Sequence, residues 1–287
     1  MEFNKVAILG GGLLGGSLAL RLQGMTEVTL WARREESVEK ARELGVAIST
    51  TDLKEAVAGA DLVVLSVPVG VMPELVTRAI DEGLPDDALL TDVGSVKSAV
   101  HQSLRSVLEG RKFRFIGGHP MAGSETQGIG SATSDLFDGA MCLLTDDDKV
   151  GDPSVGRLES FWRAVGCRVR WMDAAAHDEL VARISHFPHV MAAATAMVGL
   201  ETPGDARFGG GGLRDTTRVA SGDPAMWAEI LMENATAVSA SVRQAGEALG
   251  EMLAMLERGD HEALLGWLEL ARDRHQAGRE QQHDEFE

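Results

Sequence analysis

Four clusters in this 287-residue chain hold residues able to do chemistry. Asp92-Val93-Gly94-Ser95-Val96-Lys97 comes first, followed by Gly117-Gly118-His119-Pro120-Met121-Ala122-Gly123-Ser124-Glu125. Ser185-His186-Phe187-Pro188-His189 is third. The fourth pairs Gly212-Leu213-Arg214-Asp215-Thr216-Thr217-Arg218 with Asp223-Pro224-Ala225-Met226-Trp227. An enzyme that oxidises an alcohol needs a base to take the hydroxyl proton as hydride leaves. A histidine flanked by glycines at a strand end suits that task near neutral pH, which makes His119 the candidate. A His-Pro pair in a loop also serves purely structural ends, and the strand-end setting is what favours the base. Ser95 is equally suited to capping a helix that begins beside it.

A second constellation concerns an anionic cofactor. Gly10, Gly12 and Gly15, with Leu13 and Leu14 between them, form G-x-G-x-x-G directly after an apolar run and at the start of a helical pattern. The first glycine makes the tight turn, the second lets the backbone approach a pyrophosphate, and the third permits close helix–strand packing. The helix N-terminus then offers free N–H groups to the anion. The second strand runs into Ala32-Arg33-Arg34, without the acid that usually binds a ribose diol. Two cations there point to the 2′-phosphate of NADP, with NAD as the alternative; a solvated loop pair is the other reading of Arg33 and Arg34. Ser66-Val67-Pro68 closes a further strand at its carboxyl end, where it can wall the nicotinamide site or simply end the strand.

The elements that must position these residues are legible in outline. Short apolar runs alternate with helical patterns through the first half, the signature of βαβ units and a parallel sheet. Strands are expected at Lys5–Leu9, Glu27–Trp31, Asp61–Ser66, Ala88–Asp92, Phe113–Gly117, Met141–Thr145 and Arg168–Met172. Helices are expected at Leu13–Leu22, Val71–Ile80 and Ser98–Leu108. After Asp173 strand signals vanish, and Ala-, Leu- and Met-rich helical segments follow, among them Met191–Gly199 and Met226–Met255. The glycines of Phe208–Gly212 read as a loop between them. The expected fold class is therefore α/β: residues 1–172 form a Rossmann-like, doubly wound, mostly parallel sheet, and residues 173–287 form an all-α domain.

Composition narrows the field of functions. A net charge of −17 argues against a nucleic-acid surface, which needs clustered cations, so single arginines matter for any anionic ligand. No run is long enough for a membrane helix, and the N-terminus lacks the pattern of a signal peptide. The two cysteines, Cys142 and Cys167, have no CxxC spacing and suit a reducing cytoplasm. The eight histidines show no metal-ligand spacing, so no metal is expected. There is no tyrosine, which excludes the Tyr/Lys chemistry of short-chain dehydrogenases. The absence of lysine after Asp173 disfavours 3-hydroxyacid dehydrogenases, which typically use one from the second domain.

Taken together, the glycine motif, D-x-G-S-V-K, G-G-H-P-M-A-G-S-E and S-H-x-P-H resemble the prephenate/arogenate dehydrogenases of tyrosine biosynthesis, in that family's order, from Gly10 through Trp227. The resemblance implies a small-molecule substrate, a cyclohexadienyl acid that is oxidised and decarboxylated, and a homodimer built on the helical domain. It implies that His119 takes the ring-hydroxyl proton, Ser95 contacts that hydroxyl and orients the histidine, and Arg218 pairs with a substrate carboxylate. His186, His189 and Trp227 would line the pocket. Glu125 and Asp215 would lie near its mouth, Asp215 from the partner subunit. Each has a plainer alternative: interior histidines, a core tryptophan, or an Arg218–Asp215 surface pair of little energetic worth. The chain carries no segment expected to house a fused mutase or a regulatory domain.

Overall fold

A computed structural model describes residues 2–284 except Glu125, Gln127, Asp152 and Pro203, with side chains described as far as residue 280. The chain forms two compact units, Met1–Ala235 and Thr236–Glu287. In the first, six strands form an all-parallel sheet: β1 (Lys5–Leu9), β2 (Glu27–Trp31), β3 (Ser49–Thr50), β4 (Leu62–Leu65), β5 (Leu89–Asp92) and β6 (Arg114–Phe115). Their spatial order is β3-β2-β1-β4-β5-β6, so the order in which successive strands are added reverses between β1 and β4. Such a switch point opens a crevice at the carboxyl ends of the central strands. Helices α1 (Leu13–Leu22), α2 (Glu35–Glu43), α3 (Leu53–Val57), α4 (Met72–Asp81) and α5 (Ser98–Leu108) make the connections.

Alternation along the strands builds two cores. Val6 and Ile8 of β1, with Leu62 and Val64 of β4, enter one apolar cluster with Leu18, Leu22, Phe161 and Trp162. Ala7 and Leu9, with Val63 and Leu65, enter the other with Val57, Met72, Val76 and Leu104. Consecutive side chains of a strand point to opposite faces, so a continuous apolar run demands a sheet covered on both sides.

The run Phe113–Gly117 departs from expectation. It is not one strand: β6 ends at Phe115, and the chain leaves the parallel sheet to enter β7 (Gly117–Pro120) of a second, three-stranded sheet. There β7 pairs antiparallel with β8 (Met141–Thr145), and β8 pairs parallel with β9 (Arg168–Met172). Helix α6 (Ser154–Val165) joins the last two. The switch needs glycine, because a Cβ on Gly118 would stand 2.8 Å from the Asp92 carbonyl oxygen.

Beyond β9 the structure is helical: α7 (Ala174–Val181), α8 (Phe187–Gly199), α9 (Gly211–Thr217) and α10 (Pro224–Glu233). The glycine-rich stretch is thus only partly a loop, since Asp205–Phe208 forms a 3-10 turn and α9 begins at Gly211. The expected Met226–Met255 helix is broken at Asn234, the C-cap of α10 with φ −110° and ψ 27°. The second unit holds nearly all of α11 (Ala235–Arg258) and then α12 (His261–Asp284), which follow one another across Gly259. No described helix is long and apolar enough to cross a membrane.

Candidate active site

The glycine motif has the geometry that its spacing predicts. Gly10 has φ +134°, and a Cβ there would stand 2.0 Å from the Ser66 carbonyl oxygen. A Cβ on Gly15 would stand 1.9 Å from the Gly10 oxygen, so β1, α1 and the end of β4 meet backbone to backbone. Above Gly12, in contrast, a Cβ would meet nothing within 4 Å, and no side chain caps α1. Free N–H groups facing open space fit a dinucleotide pyrophosphate. Leu13 is half-buried, and Leu14 packs against the core. Ser66 extends the pairing of β4 through a 2.8 Å bond to the Leu9 oxygen, and Pro68 starts the single turn Val69–Val71. Ala32 is buried at the end of β2, and the exposed Arg33 and Arg34 lead into α2.

The second constellation is assembled around a buried ion pair. Asp92, at the carboxyl end of β5, accepts hydrogen bonds from the Gly94 and Gly118 amides at 2.8 and 3.0 Å and from the Lys97 ammonium. Lys97 also donates to the Gly118 carbonyl at 2.8 Å, and both side chains are fully buried. Burial pulls the Lys97 pKa down against the pull of Asp92. This pair ties β7 to β5 and fixes where His119 sits. Ser95 lies half-buried in the loop it shares with Asp92 and Lys97. It does not cap a helix, because α5 begins at Ser98 with Lys97 as N-cap. The cap comes from another element: the Asp178 carboxylate accepts from the Lys97 and Ser98 amides at 2.8 and 2.9 Å.

Asp178 also anchors a chain of rings. His177 Nδ1 lies 2.8 Å from the Asp178 carboxylate, and His177 Nε2 lies 2.9 Å from His119 Nδ1. A carboxylate only accepts, so His177 carries its proton on Nδ1 and presents a bare Nε2. His119 must then donate from Nδ1, which leaves its Nε2 a bare acceptor. Burial, followed by His177 and Lys97, holds the His119 pKa well below the ordinary value of 6.5. Burial pushes Asp178 up, but hydrogen bonds from His177, Ser98 and Lys97 outweigh it and keep the carboxyl below its usual range. The ring that faces the site is therefore neutral and oriented, with a carboxylate ready behind it.

His186 and His189 follow α7, the helix of His177 and Asp178, in the chain. Residues Ala182–His186 form a single π-helical turn that leads into α8, with Pro188 in its first turn. Proline lacks the amide that would continue α-helical bonding, and such widened turns recur at functional sites. Both histidines are buried. His189 stacks on Trp227 at 3.6 Å and 10°, and His186 meets the same indole edge-on at 6.2 Å. His186 Nε2 and His189 Nδ1 are buried without a hydrogen-bond partner among the described residues. Burial lowers the His186 pKa to about 4 and also lowers that of His189.

Arg218 opens the 3-10 turn Arg218–Ser221, which packs on α8, the helix of His189. Its side chain is exposed, as is that of Asp215, whose near partner is Arg214 at 3.5 Å rather than Arg218. Glu125 lies outside the described residues. On α10, Glu229 accepts from the Gly70 amide at 3.3 Å, close to the end of β4. One turn on, burial together with Glu229 and Asp178 pushes the Glu233 carboxyl up to about 7.

Four residues of this site went unassigned in the sequence. Asp92 and Lys97 stand in a motif already singled out, yet nothing local shows that they bond to Gly118. His177 and Asp178 are a lone acid–histidine neighbour pair on a helix, a weak signal until the fold brings α7 to β7.

The prephenate dehydrogenase nucleotide-binding domain matches residues 17–171, and the prephenate dehydrogenase dimerization domain matches residues 173–270. Prephenate dehydrogenase of Lactococcus lactis subsp. cremoris is 30% identical over 279 residues, which cover 95% of this chain and 77% of that protein. Prephenate dehydrogenase from A. aeolicus, solved with hydroxyphenyl propionate and NAD+, superposes with a TM-score of 0.87 at 30% identity, covering 96% of this chain and 99% of that one. Synechocystis arogenate dehydrogenase gives a TM-score of 0.79 at 28% identity, with 95% and 99% covered.

Proposed function

Because the chain belongs to the prephenate dehydrogenase family, we propose that it oxidatively decarboxylates prephenate to 4-hydroxyphenylpyruvate with a nicotinamide dinucleotide. The observation that carries this reading is the ordered chain Asp178–His177–His119, which leaves His119 Nε2 as a bare acceptor. When bound, the cofactor supplies the hydride acceptor. His119 Nε2 takes the proton of the ring hydroxyl, and His177 and Asp178 stabilise the positive charge it gains. Loss of carbon dioxide then sends an electron pair to the new carbonyl oxygen, which becomes a phenolate as the ring turns aromatic. The same histidine returns its proton there, so the reaction closes without net proton release. Aromatisation drives the reaction strongly, and the protein need only position the substrate and provide one base.

In this reading Ser95 contacts the hydroxyl beside His119, Arg218 pairs with a substrate carboxylate, and His186, His189 and Trp227 wall the ring. Asp215 stands at the pocket mouth. Gly10, Gly12, Leu13, Leu14, Gly15, Ser66 and Pro68 cradle the dinucleotide. The cofactor is NADP, held at its 2′-phosphate by Arg33 and Arg34, whose exposure and place after β2 support the assignment. Residues 1–172 serve as the nucleotide-binding part and 173–287 as the helical part through which two copies dimerise.

A second reading, oxidation of arogenate to tyrosine, is favoured by the similarity to the Synechocystis enzyme. Steady-state rates with each substrate against NAD and NADP separate the two. The expected result is the highest kcat/KM with prephenate and NADP. Turnover of arogenate alone would replace the substrate assignment, and turnover of neither would remove it.

A further inference from the structure

Asn234 interrupts the apolar run between α10 and α11 and is only 6% exposed. Its side-chain nitrogen lies 2.8 Å from the Asp178 backbone carbonyl and 3.2 Å from His186 Nδ1. The carbonyl can only accept, so the atom facing it is the amide nitrogen, and the orientation of the amide is settled. That nitrogen has two hydrogens and no free lone pair. One hydrogen goes to Asp178, and the other points at His186 Nδ1, which must present its lone pair. Burial keeps the His186 ring neutral, so its single proton resides on Nε2. This is the buried nitrogen that has no partner among the described residues.

We propose that Asn234 is a positioning residue that holds His186 as an Nε2–H donor aimed at an oxygen of the anionic substrate. The proposal rests on the dehydrogenase reading only for the identity of that oxygen. Two neighbouring rings are thereby set in opposite senses. The chain through His177 makes His119 an acceptor at Nε2, and Asn234 makes His186 a donor at Nε2. Without the amide, His186 could put its proton on Nδ1 and turn a lone pair toward the substrate's charge. The choice of asparagine follows, since an ionised aspartate at this place could only accept. It would draw the proton to Nδ1 and reverse the ring.

The test has a part that needs no substrate. In protein labelled with 15N-histidine, the His186 ring, assigned by its loss in His186→Gln, is expected to show a bonded proton on Nε2 and none on Nδ1. A proton on Nδ1 in the parent protein would overturn the proposal, whatever the enzyme acts on. The kinetic part uses Asn234→Ala and Asn234→Asp. Each is expected to raise KM for prephenate about tenfold or more, the usual worth of a hydrogen bond to a charged group, while kcat falls much less because His119 keeps its own partners. An active parent with unchanged KM in a folded Asn234→Ala would refute the proposal and leave the dehydrogenase reading standing. An inactive parent with the proton on Nε2 would refute that reading and leave the tautomer assignment intact.

Discussion

At the scale of single residues, the site works through the protons that each ring is obliged to carry. His119 is neutral because burial, His177 and Lys97 disfavour its charged form, and it is oriented because Asp178 dictates the tautomer of His177. A base must be unprotonated to act. Its depressed pKa therefore keeps kcat/KM level as pH falls through 6.5, and the acid limb appears only below the range of an ordinary histidine. His119→Asn is expected to lower kcat by roughly 10²–10⁴ with little change in cofactor affinity. Near-normal turnover in that variant would take His119 out of the reaction. Cofactor choice belongs to the same scale. Ala32 can neither bond a ribose diol nor repel a phosphate, and the arginines after it offer planar donors. Arg33→Ala should lower the ratio of kcat/KM for NADP over NAD by about tenfold, since an exposed contact is weakened by screening. An unmoved ratio would make the pair a solvated loop.

At the scale of elements, the decisive feature is the crossing of β7 from the parallel sheet into the second one. Two glycines permit the close approach, and the Asp92–Lys97 pair secures it by bonding both backbone groups of Gly118. The next residue is His119, so this junction sets where the base stands. Removing one partner of a buried pair leaves the other uncompensated, at a cost of about 3–5 kcal/mol. Lys97→Met is expected to lower the unfolding free energy by that amount in urea titration. Adding Asp92→Asn should recover part of the loss by removing the stranded charge. A single variant as stable as the parent would show that the pair does not hold the junction. The π turn before α8 has a parallel role, since it widens the helix where His186 and His189 approach one indole.

At the scale of the whole molecule, much apolar surface is uncovered. Along α11, Val242, Leu249, Leu253 and Leu256 are all exposed, at spacings of seven, four and three residues that place them on one helix face. On α12, Leu265 and Leu268 are exposed as well. A single chain in water would bury such a stripe, and the match of residues 173–270 to a dimerization domain indicates how. Light scattering at micromolar concentration is expected to give twice the 30.6 kDa chain mass. A particle of one chain mass would contradict the dimer. Replacing Leu249 and Leu253 with Glu should shift the particle toward the monomer, because two buried charges would face a second copy.

What the sequence determines by itself is whatever is written locally. The strands Lys5–Leu9, Glu27–Trp31, Met141–Thr145 and Arg168–Met172 and the helices Leu13–Leu22 and Ser98–Leu108 fall where their periodicity puts them. Side-chain spacing and turn residues act within a few positions of the chain, so they can be read there. The two-residue strand β3 carries too few residues to show a period, and the break at Asn234 is a single polar residue in a long apolar run. Gly117 looks like the end of a strand because nothing in its neighbours says that the chain will change sheets. The linked network of Asp92, Lys97, His119, His177, Asp178, His186 and Asn234 spans more than 140 residues of sequence. Only the tertiary structure could join it. A hydrogen bond depends on a few tenths of an ångström between atoms whose sequence separation is arbitrary. Which nitrogen of each ring bears a proton depends in turn on the partner that the fold brings to it.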